Sequence, residues 1–271
     1  MKDGFIRVAA ATPDIHVADP QYNSEQIIEL MEQGSTRGVK VMAFPELCLT
    51  AYTCSDLFLQ ESLLREAKKE LKRILQASKS KDMILFVGMP WMHKGKLYNV
   101  AAVLNRGRIL GIVPKKHLPN YSEFYELRHF NPGMEKVEMT EWEGLQIPMG
   151  MKLLFSCRTM PELVLAAELC EDVWVPCPPS ISHALAGATV IANCSASDET
   201  TGKDCYRYDL ICGQSARLVC GYIYANAGEG ESSQDLVFGG HNIIAENGTC
   251  PVQSDRFKNA CICADLDLGR I

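Results

Sequence analysis

The sequence predicts one α/β domain in which helices cover mixed β-sheets. Three observations lead to this prediction. Apolar runs typical of buried strands alternate with helical patterns over the 271 residues. Two regions read as hairpins, which add antiparallel strands and argue against a purely parallel, doubly wound sheet. The chain contains no linker or low-complexity tract, and its length suits one large domain.

The first half of the chain predicts three strands, two helices and a hairpin. In order, these are a strand at 5–12, a helix at 24–38, a strand at 40–47, a helix at 55–80, a strand at 83–90 and a hairpin over 97–115. Asn23 or Ser24 is expected to cap the first helix and Ser55 the second, because short polar side chains accept hydrogen bonds from the free N–H groups of a helix start.

After a less regular middle, the second half repeats the alternation. The predicted elements are strands at 163–169 and 187–196, a helix at 206–220, a strand at 221–228, a hairpin over 241–252 and a strand at 260–268. Asn247-Gly248 is the expected turn of this hairpin, because the dipeptide tolerates positive φ angles. The stretch GEGES at 228–232 predicts a solvated loop, since its two glutamates would repel a phosphate.

Charge and composition argue against several classes of function. The net charge is −6, from 27 basic and 33 acidic residues, and no basic patch stands out, so nucleic acid is not an expected partner. No apolar stretch approaches the roughly 20 residues that cross a bilayer. The first residues also lack the pattern of a signal peptide. We therefore expect a cytoplasmic protein with no membrane partner.

The twelve cysteines are expected to be reduced thiols, most of them small buried hydrophobic side chains. The chain has no C-x-x-C pair, and its six histidines show no H-x-x-x-H spacing. These spacings are typical of structural zinc sites. The sequence therefore predicts no metal site.

Two polar segments interrupt the apolar pattern where predicted strands end. Glu46, in FPELCLTAY (44–52), is either a hydrogen-bonded structural group or a base at the carboxyl edge of a sheet. In PKKHLPNYSEFYELR (114–128), a lysine pair precedes three aromatic side chains. These lysines are either solvated at a strand end or directed into a cleft.

A third segment, AELCEDVWVP (167–176), places Cys170 at the end of a strand and before a turn. Nucleophiles are presented on such elbows, where backbone N–H groups can face a developing oxyanion. The adjacent Glu171 and Asp172 would raise the pKa of the thiol. Either Cys170 is inert, or more distant groups activate it. For Asp172, a structural hydrogen bond to the turn is expected.

Together the three segments predict hydrolysis of a carbon–nitrogen bond. A glutamate can take the thiol proton so that the cysteine attacks an amide carbonyl. A lysine ammonium can stabilise the thiolate and the tetrahedral oxyanion. Water activated by the same glutamate then hydrolyses the thioester.

Glu46 in FPEL, Lys115 in PKKHLPNY and Cys170 in ELCEDVW resemble, in order and spacing, the Glu-Lys-Cys triad of the nitrilase, or carbon–nitrogen hydrolase, superfamily. Lys115 fits the triad better than Lys116, because it lies three residues before the Leu of the Leu-Pro pair. The segments FPELCLTAYTCSDLFLQ, LPNYSEFYE, CEDVWVP, NCSASDETTGK and YANAGEGESSQDLVFGGHNIIAENG resemble the glutaminase domains of glutamine-dependent NAD synthetases.

This resemblance implies a four-layer α-β-β-α sandwich with two mixed sheets. It implies that residues 1–271 form a glutaminase domain, which releases ammonia from glutamine through a cysteine thioester for NAD synthesis. The S-G-G-x-D-S pyrophosphate loop of the synthetase domain is missing from this chain. ATP and magnesium are expected only for that absent domain, and no cofactor is expected here. The expected partners are an ammonia-accepting synthetase domain and further copies in a homo-oligomer.

The resemblance also assigns residues to the substrate. Tyr121, Ser197 and Lys203 would hold glutamine, and Tyr52, Phe124 and Glu171 would surround the pocket. Lys203 would meet the α-carboxylate and Glu171 the α-ammonium, although many relatives carry arginine where Lys203 stands, and lysine lacks the bidentate fork. A second glutamate, Glu126 rather than Glu123, is expected to assist Lys115.

Two other functions remain open from the sequence. One is a stand-alone carbon–nitrogen hydrolase, such as an ω-amidase or carbamoylase, acting on another small amide. The other is a domain without catalysis that assembles oligomers or binds a thiol-reactive metal. The complete Glu46, Lys115 and Cys170 set favours the enzymatic interpretations.

Overall fold

Two β-sheets lie face to face between two layers of helices in a computed structural model that describes residues 4–271. The helices are α1 (Pro20–Thr36), α2 (Glu61–Ser78), α3 (Pro179–Leu185) and α4 (Lys203–Leu218). The strands are β1 (Phe5–Ala11), β2 (Val41–Ala43), β3 (Ile84–His93), β4 (Lys96–Asn105), β5 (Arg108–Pro114), β6 (Glu138–Trp142), β7 (Leu145–Met149), β8 (Phe155–Ser156), β9 (Val164–Leu169), β10 (Val190–Ser195), β11 (Gly221–Asn226), β12 (Ile243–Glu246), β13 (Thr249–Gln253) and β14 (Cys261–Asp267). Short 3-10 turns span Tyr52–Leu59, Glu126–Arg128 and Cys170–Val173.

Both sheets are mixed. The eight-stranded sheet has the order β14-β1-β2-β3-β4-β5-β7-β6, and the six-stranded sheet has the order β13-β12-β11-β10-β9-β8. Parallel strands lie at the centre of each sheet, β1-β2-β3 in one and β9-β10-β11 in the other, and hairpins extend the sheets outward. The predicted α/β class with mixed sheets is confirmed.

The period of two along each strand divides the apolar side chains between two layers. In β1, Ile6, Val8 and Ala10 pack between the sheets, while Ala9 and Ala11 face α1 and α2. On the far side, α3 and α4 cover the outer face of the six-stranded sheet. The order of layers is therefore α-β-β-α, as the resemblance implied.

The predicted caps of the first two helices are wrong. The helix α1 begins at Pro20, and the Asp19 carboxylate accepts a hydrogen bond of 3.1 Å from the Tyr22 N–H. Proline suits the first position of a helix because its missing N–H would have no partner there. The predicted caps Asn23 and Ser24 are buried inside the helix, where the Ser24 hydroxyl donates to Glu70.

The long predicted helix at 55–80 is shorter at its start. Ser55 has a φ of 50°, which is not helical, and α2 begins only at Glu61. The missing first turn is part of the loop that carries Tyr52.

The hairpins over 97–115 and 241–252 are confirmed. The second turns at Asn247-Gly248, with φ angles of 44° and 86°. The predicted strand at 40–47 is short in the sheet, since only Val41–Ala43 pair. The less regular middle contains elements that were not predicted, namely the hairpin β6–β7 and the short β8. The helix α3, between the predicted strands at 163–169 and 187–196, was also not predicted. No helix within residues 4–271 has the length and apolar character needed to cross a membrane.

Candidate active site

The three candidate catalytic side chains lie just beyond the carboxyl ends of three strands. Glu46 follows β2, Lys115 directly follows β5, and Cys170 directly follows β9. The first two belong to one sheet and Cys170 to the other. The Glu46 N–H joins the sheets, because it donates a hydrogen bond of 3.3 Å to the carbonyl of Ser195 on β10. Ligand sites of α/β proteins gather at such edges.

Lys115 is fully buried and bridges two carboxylates. Its ammonium nitrogen Nζ lies 2.6 Å from Glu46 Oε1 and 2.6 Å from Glu126 Oε1. Glu126 is thus the one of the two candidate assisting glutamates that contacts the lysine. It is held in turn by the Tyr52 hydroxyl, which donates to the same Oε1 at 2.8 Å.

Asn99, in the middle of β4, donates hydrogen bonds to the carboxylates of both Glu46 and Glu126. Its amide nitrogen donates to Glu46 Oε1 at 2.6 Å and to Glu126 Oε2 at 3.4 Å. Glu46 Oε2 is buried and has no hydrogen-bond partner among residues 4–271. One oxygen of Glu46 is therefore fixed by two donors, and the other remains available as a base.

The charges around Lys115 keep the lysine protonated. Burial alone would lower the pKa of Lys115, but the Glu126 and Glu46 carboxylates raise it well above its ordinary value. Burial raises the pKa of Glu126, and Lys115 opposes that effect. The cluster holds one cation between two carboxyl groups, an arrangement that is stable only because each partner is hydrogen-bonded.

Cys170 sits on a strained turn. Its φ is +40°, in the left-handed region, which is unfavourable for a residue with a Cβ. Its own N–H donates to Asn193 Oδ1 at 3.0 Å, so this donor is already used and is not available to an oxyanion. Burial, and then the charge of Glu46, raise the pKa of the Cys170 thiol. The raised pKa favours the protonated form of the Cys170 thiol.

Asp172 connects the turn at Cys170 to the residues that follow Lys115. Its carboxylate accepts hydrogen bonds from the N–H groups of Leu169 at 3.0 Å, His117 at 2.8 Å and Lys116 at 3.4 Å. The expected structural hydrogen bond to the turn is confirmed, and it extends to the residues after Lys115. Burial raises the pKa of Asp172 to about 6.

Tyr121, Phe124 and Glu171 form one wall beside the thiol. The Tyr121 hydroxyl lies 3.1 and 3.2 Å from the two Glu171 oxygens, and its ring meets Phe124 edge-on at 5.8 Å. Phe124 is buried, Glu171 is half-buried, and Tyr121 is 56% exposed. This wall offers a carboxylate and a phenol on its exposed side.

Lys203 and Ser197 belong to a second polar group. The Lys203 ammonium pairs with the buried Asp198 and lies 5.3 Å from the centre of the Trp174 ring. Ser197 is fixed through its N–H, which donates to Asn226 Oδ1 at 2.8 Å. Burial raises the pKa of Glu171, and the nearby charge of Lys203 opposes that effect in part.

Arg207, which was not predicted as a site residue, is fully buried one helical turn after Lys203. Its guanidinium pairs with Glu199 at 2.6 Å and donates to the Ser197 hydroxyl at 3.3 Å. The i, i+4 spacing of two cations on α4 was a usable signal, since it places both on one face. Asn99 was also missed, although an amide inside the apolar run LYNVAAVL is unusual for a buried strand.

A cavity of about 220 Å³ opens beside Glu126. Tyr52, Phe124 and Glu126 line it, together with Phe58, Phe130 and the segment 232–236. The predicted solvated loop at 228–232 is wrong for Glu231, whose carboxylate is half-buried against Tyr52 and Thr53. Within residues 4–271, no group of three or more His, Cys, Asp or Glu side chains is placed to hold a metal ion.

The structure superposes on an amidase of the nitrilase superfamily from Nesterenkonia with a TM-score of 0.76 at 20% identity, covering 98% of this chain and 92% of that one. A family model described as carbon-nitrogen hydrolase matches residues 7–271. The chain therefore belongs to the carbon–nitrogen hydrolase family.

Within this family, the chain is similar to glutamine-dependent NAD(+) synthetases. It is 41% identical over 254 residues to the one from Mycobacterium tuberculosis, covering 94% of this chain and 37% of that protein. It is 32% identical over 266 residues to the one from Aquifex aeolicus, covering 98% and 43%. The crystal structure of the Cytophaga hutchinsonii enzyme aligns with a TM-score of 0.87 at 29% identity, covering 96% and 43%. The chain thus spans about two-fifths of the length of these relatives.

Proposed function

We propose that this chain hydrolyses the side-chain amide of glutamine and delivers ammonia to NAD synthesis, as the glutaminase part of a glutamine-dependent NAD synthetase. The observation that carries the proposal is the buried Lys115 held between Glu46 and Glu126, next to a strained cysteine elbow. The 41% identity to a synthetase, over its partial length, supports glutamine as the substrate.

In the proposed reaction, Glu46 Oε2 takes the thiol proton as the Cys170 sulfur attacks the amide carbon. The carbon–sulfur bond forms, and the negative charge on the carbonyl oxygen is stabilised by the Lys115 ammonium. Glu46 then returns the proton to the nitrogen, the carbon–nitrogen bond breaks, and ammonia leaves. A thioester remains on Cys170.

Hydrolysis of the thioester uses the same base. Glu46 takes a proton from water, the water oxygen attacks the thioester carbonyl, and the carbon–sulfur bond breaks with the proton returning to sulfur. Glutamate leaves and the thiol is restored. These steps need a nucleophile, a base and a cation, all of which side chains supply, so we propose no cofactor for this part and assign ATP and magnesium to the synthetase part.

For substrate binding, we propose that Lys203 meets the α-carboxylate of glutamine and Glu171 its α-ammonium. Lys203 is held by Asp198 and Trp174, so its charge is positioned despite its flexible side chain. Tyr121, Phe124, Ser197 and Tyr52 would surround the bound side chain. Arg207 supports Ser197 from behind.

The test measures ammonia and glutamate released from glutamine by the purified chain. Cys170→Ala is expected to abolish release, because the thioester cannot form, while the matched variant Cys177→Ala, at an exposed thiol, should keep wild-type activity. A glutamine-analogue electrophile should label Cys170 covalently, with the site mapped by mass spectrometry. Unchanged ammonia release from Cys170→Ala would overturn the proposal.

A panel of substrates distinguishes the proposed glutaminase from a stand-alone carbon–nitrogen hydrolase that acts on another small amide. Glutamine, a dicarboxylate monoamide and a carbamoyl amino acid are compared by kcat/KM. Glutamine should be preferred, because only it presents an α-ammonium to Glu171. Faster turnover of the monoamide or the carbamoyl compound would assign the chain to the ω-amidase or carbamoylase type.

A further inference from the structure

The loop that carries Tyr52 is strained. Three non-glycine residues at its turns have φ in the left-handed region, Leu47 at 52°, Ala51 at 79° and Ser55 at 50°. Such conformations are unfavourable for residues with a Cβ and persist only where surrounding contacts impose them. The loop therefore needs an external anchor.

Glu231 provides that anchor from a segment 179 residues further along the chain. Its carboxylate accepts hydrogen bonds from the Tyr52 N–H at 2.7 Å, the Thr53 N–H at 2.9 Å and the Thr53 hydroxyl at 2.6 Å. The N–H of Ser232 donates a hydrogen bond of 2.9 Å to the hydroxyl oxygen of Thr53. Charge-assisted bonds of this kind are stronger than neutral ones.

The Tyr52 hydroxyl connects this loop to the ion pair of Glu126 and Lys115, which we call the catalytic pair. Tyr52 OH donates to Glu126 Oε1 at 2.8 Å, and this oxygen also contacts Lys115 Nζ at 2.6 Å. The segment after Glu231, residues 232–236, lines the cavity beside Glu126. Hydrogen bonds through Glu231 and Tyr52 thus link the cavity wall to the catalytic pair.

We propose that Glu231 is a positioning residue that holds the strained Tyr52 loop, so that the Tyr52 hydroxyl stays on Glu126 and Glu126 stays charged beside Lys115. This inference rests on the proposed function, in which Lys115 and Cys170 take part in the reaction. Glu231 touches neither the lysine nor the thiol, and acts through Tyr52.

The expected effect follows from the charges around Glu126. The titratable groups that face it are Lys115, Glu46, Tyr52, Cys170 and Glu171. When the Tyr52 hydroxyl bond is lost, the charged form of Glu126 loses a donor and the pKa of this carboxyl rises. A neutral Glu126 repels the Cys170 thiolate less, so the thiol should ionise, and react with iodoacetamide, at lower pH.

The experiment measures the alkylation rate of Cys170 against pH, with each cysteine resolved by peptide mapping. Tyr52→Phe and Glu231→Gln should each move the Cys170 profile to lower pH by a similar amount and give several-fold faster alkylation near neutral pH. The double variant should match Tyr52→Phe alone, because two changes in one connection are not additive. Thr53→Val, which removes only the hydroxyl bond, should give a smaller shift in the same direction.

Two controls separate positioning from loosening of the fold. Glu229→Gln changes an exposed carboxylate of the same loop and should keep the wild-type profile. Cys194, which is fully buried on β10, should stay unreactive in every variant. A wild-type profile in Glu231→Gln, additive shifts in the double variant, or faster alkylation of Cys194 would each overturn the inference. Alkylation does not require glutamine turnover, so failure of the proposed function would leave this result readable.

Discussion

At the scale of single residues, the two acids beside Cys170 have separate structural tasks. Glu171 turns toward the Tyr121 hydroxyl and the exposed side of the site, while Asp172 is occupied by three backbone N–H groups. Neither contributes as much to raising the pKa of the thiol as burial and Glu46 do. In the proposed reaction, activation of the Cys170 thiol therefore depends on Glu46 and Lys115, which lie on the opposite sheet.

Asn99 provides the first residue-scale prediction. Asn99→Leu keeps the side-chain size but removes the donor to Glu46 Oε1 and Glu126 Oε2. A hydrogen bond to a charged group is worth roughly 1.5–3 kcal/mol. We therefore expect kcat/KM for glutamine to fall on the order of 10- to 100-fold.

The matched control is Asn105→Leu, at the far end of the same strand, where the amide donates to the Met83 carbonyl at 3.0 Å. This variant should keep kcat/KM near the wild-type value. Equal losses in both variants would show that Asn99 matters to the strand and not to the carboxylates.

A second residue-scale prediction concerns Lys203. Lys203→Met removes the cation near Glu171 and leaves the thiol, Glu46 and Lys115 in place. The KM for glutamine should rise at least tenfold with a small change in kcat, because an interaction made equally in the ground and transition states is lost. A fall in kcat with an unchanged KM would contradict the assignment of Lys203 to the substrate carboxylate.

The candidate catalytic residues could be proposed from sequence because each interrupts the pattern where an apolar run ends, and because their order and spacing resemble the family triad. Asn99, Asp198 and Arg207 were missed for the opposite reason. Their importance comes from partners far away in the chain, such as the 53 residues that separate Asn99 from Glu46. Pairings of this kind depend on which strands become neighbours, and local patterns do not contain that information.

At the scale of elements, the strand β9 ends directly before Cys170, and a buried hydrogen-bond network fixes its position. Glu168 accepts from the Tyr222 hydroxyl and from the Ser180 N–H at 2.8 Å, and Asn193 links Tyr222 at 3.1 Å to the Cys170 N–H. This network joins β9, β10, β11 and α3 under the strained turn.

Glu168 gives a prediction about the pH dependence of stability. Burial raises the pKa of Glu168 to about 7 in the folded protein, above its ordinary value of 4.5. Between these pH values the folded state keeps a proton that the unfolded chain has lost. The free energy of unfolding should therefore fall as the pH rises through this window, by about 3 kcal/mol from this group.

The glutamine of the Glu168→Gln variant cannot ionise, so the free energy of unfolding of this variant should not show that fall with rising pH. Urea unfolding at pH 5 and pH 8 would show the variant gaining stability relative to the wild type at the higher pH. Glu162→Gln, an exposed glutamate just before the same strand, serves as the control and should follow the wild type. Parallel pH curves for Glu168→Gln and the wild type would refute the role of this carboxyl.

Element types were predicted better than element ends. Buried strands and hairpins follow from local apolar runs and from Asn247-Gly248, so they were found. The start of α1 was misplaced because Asn23 and Ser24 look like caps, yet tertiary contacts bury them and Asp19 takes the cap. The first turn expected for α2 is held away from helical geometry by the anchored Tyr52 loop.

At the scale of the whole molecule, the sandwich joins two sheets whose ends contribute complementary halves of one site. The sheet carrying Glu46 and Lys115 holds the proposed base and the cation, and the other holds the proposed nucleophilic thiol and the polar group around Lys203. The mixed-sheet class was readable from the hairpins, but the face-to-face stacking came only from the resemblance, because both faces of the central strands are equally apolar.

The last prediction concerns self-association, which the family resemblance led us to expect, and it places the interface on the outer helical layer. Leu185, at the end of α3 on the outer face of the six-stranded sheet, is 87% exposed. Burying such a side chain between two copies is favourable by roughly 1.5–3 kcal/mol. Sedimentation velocity should show a dimer or larger assembly for the wild type, and Leu185→Glu should weaken association at least tenfold, because a buried charge is costly. The control is Leu145→Glu, at a leucine on the eight-stranded sheet that is 65% exposed. This variant should sediment as the wild type does. A monomeric wild type at tens of micromolar, or equal effects of the two variants, would rule out this layer as the interface.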